Sequence, residues 1–292
     1  MEIQELERLL NDNRRETRLY HLKSFFDVQK ESLLDFPLAE EVNNHVHTIY
    51  SFSPYSPTLA AFLARKAGLR AVGSVDHDSI AAAEEMLEAA AIIGMGSTVG
   101  CELRLSFSGT PLEGRKLNNP NSDGVGYVVM HGIPRNRIDA VNRYLKPIRE
   151  QRNRRNRCQV DNLNRILTDK GEAEISFDRD VLPLSCALAG GSVTERHILF
   201  SLSKRMTETH GKGRRLLCFL KDCFDVEAEG KVRGFLEDED NPYYLYDLLG
   251  LFKSSLLPQI FIQPKAAECI PVVNAVKFFI EMGAIPAYAY LG

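Results

Sequence analysis

The segment HVHTIYSFSPYSPTLAAFLARKAGLRAVGSVDHDSI, residues 45–80, decides most of the fold. It begins at the end of a short strand, 41–47. In an extended chain, residues two apart project from one face, so His45 and His47 point the same way. Ser56-Pro57 then opens a helix. The serine oxygen can accept from a first-turn N–H, and the fixed φ of proline suits that turn. The helix runs through TLAAFLARKA and stops at Gly68, a residue free to take the left-handed conformation that follows a helix. Residues 71–75 form an apolar strand of the buried type, closed by Asp76-His77-Asp78. Ser79 is placed to cap the next helix, IAAAEEMLEAAAII, which ends near Gly94.

Outward from this unit the alternation continues. Residues 98–103 read as a third strand, with Glu102 just after Gly100-Cys101, and 126–130 as a fourth, ended by His131. Strands alternating with helices predict a mostly parallel sheet. Polar residues at C-terminal strand ends fall where a parallel α/β barrel builds its site. Residues 2–35 read as amphipathic helices, with Ile3, Leu6, Leu9 and Leu10 at helical spacing, and are expected to pack outside the main domain. Past Pro134, residues 135–169 predict a long polar helix or helix pair. Between Arg135 and Arg157, nine Lys/Arg face two acids, which reads as a solvated helix surface ahead of a substrate-attracting one. Residues 194–206 and 213–223 read as helical and 225–256 are ambiguous. Strands are expected at 258–262 and 285–290, with a helix at 272–282 between them.

The bulk properties narrow the class. The chain has 292 residues, 44% hydrophobic and 26% charged, as in an ordinary globular protein. A net charge of −3 provides no field favouring nucleic acid. Six cysteines without a CxxC pair argue against a zinc ribbon or a disulfide framework and fit a reducing cytoplasm. No apolar run approaches the roughly 18 residues of a membrane span, and the charged N-terminus lacks the apolar region of a signal peptide.

Four of the seven histidines, His45, His47, His77 and His131, fall at expected strand ends with Glu102 among them. A lone HxH pair is a weak metal signal, and any one of these residues reads equally well as a hydrogen-bonded histidine near the core. Four imidazoles and a carboxylate on one rim are a stronger signal. Such donors suit Zn, Mn or Fe better than Ca or Mg. Cys101 reads as a small buried residue rather than a nucleophile.

The run from His45 to Met86, followed by GCEL at 100–103, resembles the PHP (polymerase and histidinol phosphatase) family over residues 41–134. The resemblance implies an α/β fold, a distorted (β/α)7 PHP-type barrel, that holds two or three divalent ions and hydrolyses phosphoesters. By position, His45 and His47 match the first motif, His77 the second, Glu102 the bridging carboxylate and His131 the next histidine. The segment Ser192-Val-Thr-Glu-Arg196-His197 resembles the motif in which His197 would be a ligand and Arg196 would face phosphate. Asp76, beside His77, could hold an imidazole tautomer or protonate the leaving group, and the residues do not choose between it and a histidine. The metal candidates are thus His45, His47, His77, Glu102, His131 and His197; the catalytic candidates are Asp76, Glu102 and Arg196.

The implied layout is an N-terminal helical extension (1–37), the first part of the barrel (38–134), a mainly helical insertion containing His197 that would lid the site (135–255), and the second part of the barrel (256–292). Two departures stand out. The family's first motif continues as a T-x-x-S-D type run, and here Phe52 occupies the acidic position. The family's closing D-x-H pair has no counterpart after Ala287-Tyr288-Ala289-Tyr290, which together with a count of six strands points to a longer protein. The expected function is metal-dependent hydrolysis of a small phosphomonoester, with no membrane partner. The alternatives are a phosphodiesterase or exonuclease on nucleic acid, and a degenerate barrel serving as a non-catalytic binding or regulatory module.

Overall fold

The computed structural model describes residues 2–34 and 38–290. The expected end of the N-terminal extension at residue 37 and the last residue of the chain lie outside them. Two compact units are present. The first comprises Met1–Gln151, Cys186–Ser192 and Pro264–Gly292; the second comprises Arg152–Ser185 and Val193–Gln263.

The chain order is α1 (Ile3–Leu9), α2 (Arg15–Leu34), β1 (Val42–Val46), α3 (Pro57–Lys66), β2 (Ala71–His77), α4 (Ala83–Ile92), β3 (Gly96–Ser106), β4 (Val125–His131) and α5 (Ile138–Asp169). There follow α6 (Glu195–His210), α7 (Gly213–Phe224), α8 (Gly230–Glu237), α9 (Tyr244–Ser255), α10 (Leu257–Ile260), α11 (Val272–Glu281) and β5 (Ile285–Tyr288). The caps read from the sequence operate at α3: Ser56 Oγ accepts the Leu59 N–H at 3.0 Å, and Gly68 takes φ +84° after the helix. Ser79 instead supports a turn, accepting the Ala81 N–H at 3.1 Å, and α4 begins only at Ala83.

The first unit holds one five-stranded sheet in the order β1-β2-β3-β4-β5. β1, β2 and β3 are parallel, while β4 and β5 each run antiparallel to the preceding neighbour in the sheet. The expectation of a mostly parallel sheet therefore fails at β4. The connection from β3 is the turn-forming stretch FSGTPLEGRKLNNPNSDG, residues 107–124, which contains no helix among the described elements. A parallel return needs a crossover, usually helical, whereas an antiparallel return needs only a loop. The strand expected at 258–262 is also overturned: Leu257–Ile260 is helical, with Pro258 in its first turn and Leu257 and Ile260 both buried. The described residues thus form five strands, a mixed α/β architecture, and not the seven of the expected barrel.

Alternation along β3 sorts the sheet's two faces. Val99, Cys101, Leu103 and Leu105 are buried in the hydrophobic core with Phe62 and Ala61 of α3, Met86 and Ala89 of α4, and Ala275 and Phe279 of α11. The opposite face carries Gly100, Glu102 and Arg104. Leu6 of α1 and Leu22 and Phe25 of α2 belong to the same core. A buried ion pair ties α2 down: Arg18 Nε donates to Glu85 Oε1 at 2.8 Å, and Glu85 also accepts from the Thr58 hydroxyl at 2.7 Å. Removing one partner of such a pair costs about 3–5 kcal/mol, because the other charge stays buried. No helix among the described residues is long and apolar enough to cross a membrane.

Candidate metal centre

Regular alternation would not place the two β1 histidines correctly. Val42 pairs with Ala71, which lies on the Glu102 face of the sheet, so strict counting would turn Asn44 and Val46 to that face and the histidines away. The register shifts between Asn43 and Val46: Asn43 pairs with Val72 and Val46 with Ser74. Asn44 and His45 together oppose Gly73, a β-bulge of one extra residue. Two details build it. The Asn43 side chain accepts the His45 N–H at 3.0 Å, and Gly73 leaves room for the bulged backbone. A Cβ at Gly73 would lie 3.0 Å from Asn44 Cα and 2.6 Å from Thr98 Cγ2. Past the bulge, His45 and His47 share a face with His77 and Glu102.

There His45, His47 and Glu102 each bring one ligand atom within 4.8 Å of the others. His45 Nε2 is 3.6 Å from Glu102 Oε1, and His47 Nε2 is 3.8 Å from Glu102 Oε2. Ligands at 2.0–2.1 Å around a tetrahedral zinc ion stand about 3.4 Å apart, so the three residues fit an ion with little adjustment. His77, paired with Glu102 across β2 and β3, has Nδ1 2.9 Å from Glu102 Oε2. At that distance the imidazole holds the carboxylate directly. Burial by itself would raise the Glu102 pKa; the His77 hydrogen bond and the three neighbouring imidazoles outweigh it, and the carboxyl stays below its usual range.

Asp76 is 1% exposed and is committed to the loop after β1. It accepts from the Thr48 N–H at 2.7 Å, the Thr48 hydroxyl at 2.7 Å and the Ser51 hydroxyl at 2.6 Å. Burial pushes its carboxyl up, against the pull of those three bonds. Ser51 Oγ also lies 3.3 Å from His47 Nδ1. The one Ser51 proton goes to Asp76, so the serine oxygen accepts from Nδ1–H. That leaves the lone pair of His47 on Nε2, the nitrogen that faces Glu102. Asp76 therefore sets an imidazole tautomer, but that of His47, through Ser51. The loop after β2 is pinned in turn: the Asp78 N–H bonds the Glu102 carbonyl at 2.9 Å, and Arg149 of α5 donates to the Asp78 carbonyl at 3.0 Å.

His131 falls one same-face residue pair along the sheet from Glu102, opposite Gly100. Because β4 is antiparallel, His131 lies on the side of Glu102 toward the start of β3, where it also joins Ala71, Ser97 and Thr98 in lining a cavity of about 280 Å³. Its ring still packs edge-on to His45 at 6.2 Å, and burial lowers its pKa. On the other side of Glu102, toward the end of β3, β4 brings Tyr127, whose ring centroid is 5.5 Å from that of His77. Tyr127 pairs with Arg104, two residues beyond Glu102 on the same face of β3. Sequence reading passed over both. Arg104 was within reach of simple alternation; Tyr127 required the direction of β4.

His197 and Arg196 belong to the second unit, on the first turn of α6. His197 is 1% exposed and caps its own helix: Nδ1 accepts the Thr194 N–H at 2.9 Å, and burial lowers its pKa to about 4. Arg196 is exposed. The basic run of α5 is not a uniformly solvated surface, since Arg152 and Arg155 are buried and Arg155 pairs with Glu195 at 2.8 Å. Phe52 adopts φ +74°, a region costly for a bulky side chain. Burial raises the Cys101 thiol well above its ordinary pKa, which leaves it a core residue rather than a nucleophile.

No protein-family model matches the chain, and no curated protein matches it in sequence. Solved structures do. A proposed metal-dependent phosphoesterase from Bifidobacterium adolescentis is similar at TM-score 0.53 and 18% identity, over 86% of this chain and 66% of that one. An amidohydrolase from Chromobacterium violaceum, solved with bound sulfate and no metal, is similar at TM-score 0.53 and 17% identity, over 84% of this chain and 65% of that one. The chain thus spans just under two thirds of each relative's length. At such identities the likeness establishes a shared fold.

Proposed function

We propose that the protein is a metal-dependent hydrolase of the PHP type, acting on phosphoesters of small molecules, with a divalent transition ion on His45, His47 and Glu102. The observation that carries this reading is the convergence of those three donors within 4.8 Å on one face of the sheet, built by a bulge whose effect is to turn both histidines inward. The fold shared with a proposed metal-dependent phosphoesterase supports it.

The chain's own residues divide the work. His45 and His47 would hold the ion through Nε2, the latter oriented by Ser51 and Asp76. Glu102 supplies the anionic donor and His77 fixes its carboxylate. An ion of the zinc, manganese or iron type held there would supply Lewis acidity and make water a better nucleophile near neutral pH. Asp76, whose oxygens are taken by Thr48 and Ser51, orients rather than protonates a leaving group.

Phe52 favours a second reading, a non-catalytic binding module, because an aromatic side chain stands where the resemblance implies an acidic ligand. One experiment separates the two. Protein purified after growth with zinc, manganese or iron is analysed for metal and assayed on an aryl phosphate. At least one transition ion per chain with turnover supports the hydrolase. In His45→Ala/His47→Ala, both should vanish while the circular dichroism spectrum is kept. Wild-type protein free of metal and of turnover would leave only the binding module.

A further inference from the structure

Beyond Glu102, the same face of the sheet carries a second polar cluster that the metal chemistry does not use. Arg104 is 6% exposed and Glu268 is 3% exposed. Arg104 Nη1 donates to Glu268 Oε1 at 3.3 Å, and Nη2 donates to the Tyr127 hydroxyl oxygen at 3.3 Å. The guanidinium carbon also stands 5.7 Å from the centre of the Tyr127 ring. Tyr127 itself is only half-buried, and its ring also meets the His77 ring, at 5.5 Å between centroids. Its backbone is clamped as well: its N–H goes to Asn118 Oδ1 at 2.7 Å, and its carbonyl accepts from Asn118 Nδ2 at 2.9 Å.

A buried arginine–glutamate pair is a costly way to stabilise a fold. Desolvation of both charges absorbs most of their attraction, and an apolar pair of equal volume often serves as well. What the pair does achieve is orientation. A phenol oxygen that accepts from a guanidinium must turn its own proton away from the cation. Arg104 and Glu268 are interior, His77 flanks the ring, and Tyr127 as a whole is only half-buried. It is therefore a preset hydrogen-bond donor one strand pair along from Glu102, toward the C-terminal end of β3.

We propose that Tyr127 is a catalytic residue that donates a hydrogen bond to the leaving-group oxygen of the phosphoester, with Arg104 and Glu268 as its positioning residues. This rests on the hydrolase reading above. As the ester bond lengthens, negative charge builds on that oxygen, and a fixed donor there is worth more in the transition state than in the ground state. The need is greatest for alkyl esters, whose alkoxide is a poor leaving group, and smallest for a nitrophenyl ester, whose phenolate leaves unaided. The substrate class is accordingly alkyl or sugar phosphates.

The test compares kcat/KM of metal-loaded wild type and Tyr127→Phe on 4-nitrophenyl phosphate and on an alkyl phosphate such as glycerol phosphate. Losing a hydrogen bond to a charged oxygen should lower the alkyl rate by about 10- to 100-fold, mainly in kcat, and the nitrophenyl rate by less than about threefold. Metal content and melting temperature should be unchanged. Arg104→Lys, which keeps the charge but not the fork, should show the same selectivity in weaker form. Equal losses on both esters, or none on either, would overturn the assignment and leave the cluster structural. Wild-type protein inactive on both esters with every metal tried would instead overturn the hydrolase reading, and this one with it.

Discussion

The two halves of the sheet treat their histidines differently. In the parallel half, β1 to β3, the chain leaves each strand at the same end, so His47, His77 and Glu102 meet although they are far apart in sequence. In the antiparallel half, β4 reverses the rule. Its last residue, His131, falls toward the start of β3 from Glu102, beside His45, and its third, Tyr127, falls toward the end of β3, beside His77. A strand end is thus a functional address only once the direction of the strand is known.

This contrast can be broken by experiment, and the largest effect belongs to the parallel half. His45→Ala should weaken zinc binding by more than about 100-fold in competition with a chromophoric chelator, as expected when one of three ligands is removed. Retention of wild-type affinity would show that the three donors do not form the centre. The seam between the halves comes next. A Cβ at Gly100 would meet the Met130 carbonyl oxygen at 2.4 Å, a backbone atom with nowhere to go. Gly100→Ala should therefore cost about 3 kcal/mol in urea unfolding, the upper end for overpacking. An unchanged midpoint would mean that β3 and β4 do not approach so closely. The smallest effect is expected in the antiparallel half, where His131→Asn should leave zinc affinity within about threefold of wild type. A loss matching that of His45→Ala would place His131 in the ligand set.

How far the sequence could be read follows the same division. The segment 45–80 was legible because its signals are local: a serine cap, a C′ glycine, an apolar strand and polar residues where that strand stops. Glu102 was legible because β3 alternates cleanly. What escaped depended on pairings that no local signal encodes. Whether β4 runs up or down is decided by an 18-residue connection too irregular to declare its direction. The segment 258–262 contains enough apolar residues for a strand, but Leu257 and Ile260 are spaced to be buried by one helical turn. The tautomer of His47 rests on Ser51 and Asp76, which are 25 residues apart and of no special interest singly. His197 was singled out by a short motif match, and in the structure its Nδ1 accepts the Thr194 N–H at the start of its own helix.

The bulge in β1 has a consequence for chain length. The face on which His45 and His47 emerge is set by counting back from the β2 pairing at Ser74, not forward from the start of the strand. Asn44 is slack in that count: excising it would straighten the ribbon and leave both imidazoles where they are. Excising Val46, two positions later, would change the parity and send His45 into the helix layer. Among descendants of this chain, gaps at these neighbouring positions would look alike in an alignment, yet one lineage would keep its chemistry and the other would lose it.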